Sequence, residues 1–151
     1  MKAFHFSDVL SVTTGRLVST RHMDGVYDIL NYLCSDSLFT HQLPRAEKES
    51  EPWLREQLAP KLFKGHHEMD MLLTDLDGEM AKDEGTREAR KVTIDNWLLK
   101  VKATLDLPEF IEIKSMEEGK ESHRHTYIDP IAEAQAMFGD DKVIAVSTES
   151  E

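Results

Sequence analysis

The most informative part of the sequence is residues 69–105, MDMLLTDLDGEMAKDEGTREARKVTIDNWLLKVKATL. Apolar side chains in its first half recur at the three- and four-residue intervals of one helical face, at Met69, Leu72, Leu73, Leu76 and Met80. Gly85 and Thr86 separate this segment from a second one, which we expect to be helical to about Thr104 and to turn Trp97, Leu98 and Leu105 toward the core. The spacing predicts two antiparallel helices joined near residues 83–86, an αα-hairpin.

The segment before this hairpin is predicted to contain two further helices. Ser7 and Asp8 are expected to cap the first, which Gly15 ends. The second is predicted from Met23 to Leu33, because its apolar side chains again follow helical spacing.

Prolines shape the prediction for residues 38–62. Pro44 disfavours helical angles at Leu43, so residues 38–45 are expected to form a fixed loop. Pro52 and Pro60 are expected to break the following stretch into short helices.

Beyond Pro108 the pattern changes from helical to alternating. Residues 110–114 and 142–148 predict two strands. Between them, Asp129 is expected to cap a helix that begins at Pro130 and ends at Gly139, with Ile131, Ala134 and Phe138 facing inward. We therefore predict an α+β fold, mainly helical, with the αα-hairpin in the middle and a small C-terminal β-sheet in the order strand, helix, strand.

The length of 151 residues predicts one domain over residues 1–151. Residues 1–45 are neutral and rich in hydrogen-bond donors, residues 46–107 are acidic and helical, and residues 108–151 form a small βαβ-like segment. The chain has 18 Lys and Arg against 29 Asp and Glu, a net charge of −11. Non-specific binding to nucleic acid or to an anionic membrane surface is therefore disfavoured.

The cellular setting is predicted from cysteine content and hydropathy. Cys34 is the single cysteine, so an intramolecular disulfide is excluded and a reducing cytoplasm is expected. The first ten residues do not resemble a signal peptide, and no apolar run reaches the roughly 18 residues that a membrane span needs.

Two donor-rich segments are the best candidates for a binding site. Their hydroxyl, imidazole, amide and guanidinium groups could converge on a phosphate or carboxylate at one end of the helix between them. The residues are Thr13, Thr14, Arg16, Thr40, His41, Gln42 and Arg45. Alternatively, the threonines bond their own backbone and each arginine pairs with a carboxylate, Arg45 with Glu47 or Glu49.

A second group, His123, His125 and Asp129 with Glu133, has the residue types of a metal site or a general acid/base pair. The alternative is that Asp129 only caps a helix and Glu133 is solvated. No spacing in the sequence identifies a nucleophile or a cofactor motif, so we expect no cofactor. Cys34 is expected to be a buried thiol, because it ends an apolar helical face.

Three blocks, LSVTTGRL at residues 10–17, YDILN at 27–31 and LFTHQLPRA at 38–46, resemble a family of small proteins of tailed phages and prophages that has no established general function. A weaker similarity covers residues 128–130 with Glu133 and the segment 143–146. The resemblance implies a protein made inside an infected bacterium, in the host cytoplasm, where small phage proteins often act on host machinery.

Three functions are consistent with these features. The first is a non-enzymatic anti-defence inhibitor that binds a host immune protein, such as a nucleic-acid-guided effector, through its acidic surface, as inhibitors of CRISPR complexes do. The second is a sponge for a nucleotide or cyclic-nucleotide signal, held by the two donor-rich segments, with a pocket that self-association could complete. The third is a small enzyme that uses His41, or His123 and His125 with Asp129.

Overall fold

The computed structural model describes residues 1–62, 67–118 and 128–139. Its helices and strands follow in the order β1 (Lys2–His5), α1 (Phe6–Thr14), α2 (Met23–Cys34), a 3₁₀ turn (Thr40–Gln42), α3 (Leu43–Leu62), α4 (His67–Lys82), α5 (Arg87–Leu105), β2 (Phe110–Ile113) and α6 (Pro130–Phe138). The predicted α+β class with helix predominating is confirmed. None of the helices in these ranges combines the length and apolar content that crossing a bilayer requires.

The small sheet pairs β1 with β2 in antiparallel register, with Lys2 opposite Ile113 and His5 opposite Phe110. The strand predicted at residues 110–114 is confirmed, but its partner in the described part of the chain is N-terminal and was not predicted. The expected partner, residues 142–148, lies outside the described residues. The sequence of β1, KAFH, lacks the β-branched residues that mark β2, so it carries no strand signal, and burial of Phe4 against the core holds β1 in place.

Helix α1 is capped by a residue that the sequence did not single out. The ring Nδ1 of His5 accepts a hydrogen bond from the backbone N–H of Ser7 at 3.2 Å. Ser7 and Asp8, the predicted caps, instead lie inside the first turn and are buried. At the other end Gly15 has a φ of +71°, which confirms its predicted role as the residue that ends the helix.

Helix α3 is continuous for 20 residues, so the predictions for its prolines were wrong. Leu43 has helical angles, φ −59° and ψ −42°, and Pro44 lies in the first turn, where its missing N–H has no intrahelical partner to lose. Pro52 lies mid-helix, at a cost of about 3 kcal/mol in isolation. Burial of Trp53 and Leu54 directly after it offsets that cost, since tertiary packing overrides local propensity.

Helices α4 and α5 form the predicted αα-hairpin. Thr86 caps α5 by accepting a hydrogen bond from the N–H of Ala89 at 3.1 Å. Trp97 is buried and donates its indole N–H to the carbonyl of Leu72 at 2.6 Å, which fastens the two helices together. Leu98 is buried as expected, and Leu105 is partly buried.

Helix α6 has the predicted ends but not the predicted inner face. Asp129 accepts hydrogen bonds from the backbone N–H groups of Ile131 and Ala132, and Gly139 follows the last turn. Ala134 is buried, whereas Ile131 and Phe138 are 44% and 51% exposed, so their inward orientation was predicted wrongly. The reason is that a polar residue, Glu133, occupies the buried side of this helix.

The core is one contiguous cluster of buried apolar side chains drawn from β1, β2 and α1 to α5. Its most enclosed members include Leu10, Ile29, Leu30, Leu33 and Leu54. That all 151 residues form one domain stays a prediction.

Gly25 allows α2 to start directly against α1. A Cβ atom at this position would lie 2.2 Å from Ser19 Oγ and 2.3 Å from Asp8 Oδ1, both far inside van der Waals contact. Gly78, in the middle of α4, has no such neighbours within 4 Å. The two glycines therefore have opposite consequences for stability.

We expect Gly25→Ala to lower the free energy of unfolding by about 1–3 kcal/mol, because the added methyl group displaces the buried Asp8 carboxylate. Gly78→Ala is the matched control and should raise it by about 0.5–1 kcal/mol, since alanine loses less backbone entropy in a helix. Urea denaturation of both variants measures the difference. A Gly25→Ala protein as stable as the wild type would contradict the close approach of α1 and α2.

Candidate functional site

The first donor-rich segment lies at the end of α1, and its hydroxyls bond to their own helix. Thr13 Oγ1 donates to the carbonyl of Val9 at 3.1 Å, and Thr14 Oγ1 donates to the carbonyl of Leu10 at 2.6 Å. This is the local backbone bonding that the sequence left open as the alternative to ligand binding.

Arg16 fastens the end of α1 to α4. Its Nε and Nη2 atoms donate to the two carboxylate oxygens of Asp77 at 2.8 and 2.6 Å, and Nη1 donates to the carbonyl of Thr14 at 3.1 Å. These hydrogen bonds from Arg16 lower the pKa of Asp77. The bidentate geometry that suits a phosphate is thus formed with a carboxylate of the same chain.

The second donor-rich segment forms the 3₁₀ turn before α3 and faces α2 and α6. The hydroxyls of Thr40 and Tyr27 share a short hydrogen bond. His41 Nε2 lies 2.7 Å from the carbonyl of Pro130. The side-chain amide of Gln42 joins the 3₁₀ turn to the start of α6. Its Oε1 accepts from the N–H of Phe39, and its Nε2 donates to the carbonyl of Ile128 and to Glu133.

Arg45 is the centre of this second region. Its Nε and Nη2 atoms donate to the Glu133 carboxylate at 3.0–3.1 Å, and Nη1 donates to Glu49 at 2.9 Å. Glu133 is 7% exposed, so the expectation that it is solvated was wrong. Hydrogen bonding from Arg45 is the main reason that the pKa of Glu133 is lowered.

All seven candidate residues therefore have partners within the chain. The hydrogen bonds described above tie the first segment to α1 and α4, and the second to α2, α3 and α6. A ligand pocket shared by the two segments, which stays a prediction, would have to compete with these partners at every one of the seven side chains.

A buried polar network, which was not predicted from the sequence, joins α1 to the loop that follows it. Ser11 Oγ donates to the carbonyl of Ser7 and accepts from the backbone N–H groups of Val18 and Ser19 at 3.0 and 2.9 Å. The Ser7 hydroxyl accepts from the N–H of Thr20. Two serines four residues apart, in a helix that also contains Val9, Leu10 and Val12, were the available signal for it.

Asp8 completes this network as a carboxylate that is 1% exposed. It accepts hydrogen bonds from the hydroxyl of Ser19 at 2.5 Å and from Arg21 Nη2 at 2.8 Å. Burial of a carboxylate is costly unless hydrogen bonds replace its lost water, and these two bonds do so. The network consequently holds the loop of residues 16–22 against α1.

A shallow groove separates this loop from α5. It is lined by Ser19, Thr20, His22, Lys91, Ile94 and Asp95. His22, immediately before α2, has a φ of +56°, a backbone conformation that residues other than glycine rarely adopt. The two charged groups of the groove pair with each other, because Lys91 Nζ lies 2.6 Å from Asp95 Oδ2.

The candidate metal and nucleophile residues are only partly placed. Asp129 caps α6, whereas His123 and His125 lie outside the described residues. Within the described ranges, no three His, Cys, Asp or Glu side chains are grouped as metal ligands. Cys34 is buried as expected, and desolvation raises the pKa of its thiol to about 11, which disfavours the reactive thiolate.

Comparison with known sequences finds a family match in this part of the chain. Residues 4–59 match the family described as a domain of unknown function, DUF7736. That range contains the buried network and both donor-rich segments. The chain matches no curated protein and no solved structure.

A substitution at Arg45 tests whether the Arg45–Glu133 ion pair stabilises the fold. We expect Arg45→Met to lower the free energy of unfolding by about 2–4 kcal/mol, because it leaves the buried Glu133 carboxylate without its charged partner. Lys91→Met, which removes an exposed ion pair with Asp95, is the control and should change stability by about 0–1 kcal/mol.

A double-mutant cycle separates this pair from other effects of the substitution. Adding Glu133→Gln to Arg45→Met should restore part of the lost stability, since the uncompensated charge is then absent. Thermal and urea unfolding of the four proteins would measure it. If Arg45→Met unfolds like the wild type, the ion pair is not a support of the fold and Arg45 is again available to a ligand.

Proposed function

We propose that this protein is a non-enzymatic inhibitor made by a phage in the host cytoplasm, and that it binds a host immune protein, a nucleic-acid-guided effector, through the acidic surface of α4. The observation that carries the proposal is the charge of that helix. Residues 67–82 contain five carboxylates and one lysine, and every one of the five is exposed. They are Glu68, Asp70, Asp75, Asp77 and Glu79.

A rigid acidic helix suits a protein surface that normally binds nucleic acid. Channels that hold a phosphate backbone are lined with Lys and Arg, so the two rows of carboxylates along the exposed flanks of α4 offer them complementary charge. Helix α4 is held in place by Trp97 of α5 and by the Arg16–Asp77 ion pair, so little conformational entropy is lost on binding. The similarity of residues 10–17 and 38–46 to small phage proteins supports the host setting.

The internal partners of the donor-rich segments favour this proposal over a nucleotide sponge. Capture of a phosphate by Arg16 or Arg45 would first require a bidentate carboxylate contact to be broken. On α4, Asp75 and Asp77 are also paired, with Lys100 and Arg16. The other three carboxylates, Glu68, Asp70 and Glu79, form no ion pair among the described residues, so contact through them needs no such rearrangement. The enzyme alternative is not supported by any described cluster of chemically active side chains.

Charge reversal on α4 tests the proposal. The variant carries Glu68→Lys, Asp70→Lys and Glu79→Lys, and the control carries Glu84→Lys, Glu112→Lys and Glu117→Lys, which are equally exposed and change the net charge by the same amount. In bacteria armed with a CRISPR effector, the wild type and the control should restore phage plaquing, whereas the α4 variant should not. With the purified effector, affinity should fall steeply as salt is raised.

Two outcomes would overturn the proposal. The first is that the wild type gives no protection in any strain with a nucleic-acid-guided effector. The second is that the α4 variant and the control lose protection to the same degree, which would mean that total charge, and not the α4 surface, is responsible.

A further inference from the structure

Helix α5 has apolar side chains on two opposite faces. Trp97, Leu98 and Val101 are buried against the core. On the other side Val92 and Leu99 are 58% and 68% exposed. These two belong to a row of five positions, which we term the outer stripe, formed by Ala89, Val92, Asn96, Leu99 and Ala103.

The outer stripe has the spacing of a coiled-coil seam. Its members are separated by three, four, three and four residues, which is the alternation of a and d positions in a heptad. Ala89, Asn96 and Ala103 take the a positions, and Val92 and Leu99 take the d positions. Four of the five positions, all except Ala89, are exposed, so the stripe is accessible to a helix of another molecule.

We propose that the outer stripe binds a second copy of this chain, with the two α5 helices parallel and in register. Asn96 decides the direction. In a parallel pair the a positions face each other, so the Asn96 amide meets the same amide of the second copy and both are hydrogen bonded. An antiparallel pair would place Asn96 opposite Leu99 and bury an amide without a partner, which is unfavourable.

The charges beside the stripe support the same arrangement. Asp95 precedes Asn96 at a g position, and Lys100 follows Leu99 at an e position. A parallel pair sets the g position of one helix beside the e position of the other, so Asp95 faces Lys100 across the interface twice. Asp95 and Lys100 at present form exposed ion pairs with Lys91 and Asp75. Such pairs contribute little to stability, so Asp95 and Lys100 can leave them to pair with each other across the interface.

The net charge of −11 opposes self-association, but little of it surrounds the stripe. Residues 67–105 carry nine acidic and six basic side chains, a net charge of −3. The stripe covers only five seam positions, fewer than an independent coiled coil needs, so the dimer is expected to be concentration dependent. This association is independent of the function proposed above.

Sedimentation velocity over a range of protein concentrations tests the inference. The wild type should shift from monomer to dimer as concentration rises, and Leu99→Lys should stay monomeric throughout. Met71→Lys is the control, because Met71 is 67% exposed on α4 and lies off the stripe. It should dimerise like the wild type, and equal far-ultraviolet circular dichroism of all three proteins would establish that they are folded.

Cross-linking tests the register. Under mild oxidation Asn96→Cys should form a covalent dimer, and Lys91→Cys, which lies off the seam, should not. A wild type that sediments as a monomer at every concentration would overturn the second-copy proposal. A wild-type dimer in which Asn96→Cys does not cross-link would overturn the parallel register.

Discussion

The N-terminal half of this protein depends on hydrogen bonds between side chains of α1 and the loop that follows it. Ser11 Oγ accepts hydrogen bonds from the N–H groups of Val18 and Ser19, which lie in a loop and have no helix or sheet partners. Asp8 binds Ser19 and Arg21 beneath the same loop, and Gly25 lets α2 begin against that carboxylate. Because buried polar groups are costly when left unpaired, removing one member penalises the others. The relative placement of α1 and α2 follows from this network.

Two ion pairs extend the arrangement to the outer helices. Arg16 reaches across 61 residues of sequence to Asp77 on α4, and Arg45 reaches across 88 residues to Glu133 on α6. Residues that look like ligand donors in the sequence are thereby used to assemble the fold. The two surfaces for which we propose a role, the exposed carboxylates of α4 and the outer stripe of α5, lie outside the core.

Much of the fold could be predicted from periodicity, and most of the site could not. Helical spacing identified α2 and the α4–α5 hairpin, and cap residues identified both ends of α6. The prediction for α3 was wrong because the effect of Pro52 is local, whereas burial of Trp53 and Leu54 depends on the whole fold. Strand β1 was missed because its sequence, KAFH, has none of the β-branched residues that made the equally short β2 recognisable. Glu49, four residues from Arg45, was named as a possible partner and is one. The distant partners, Asp77 of Arg16 and Glu133 of Arg45, could not be found, since nothing in a single sequence states which of 29 carboxylates an arginine will meet.

The polar residues of the N-terminal region build the frame of the protein, and native-state hydrogen exchange can measure this at the loop between α1 and α2. Loop amides ordinarily exchange quickly because they lack backbone partners. We expect the amides of Val18 and Ser19 to be protected to the same degree as those in the middle of α1. We expect Ser11→Ala to remove this protection while amides of the α4–α5 hairpin keep theirs. Fast exchange at Val18 and Ser19 in the wild type would mean that α1 does not hold the loop.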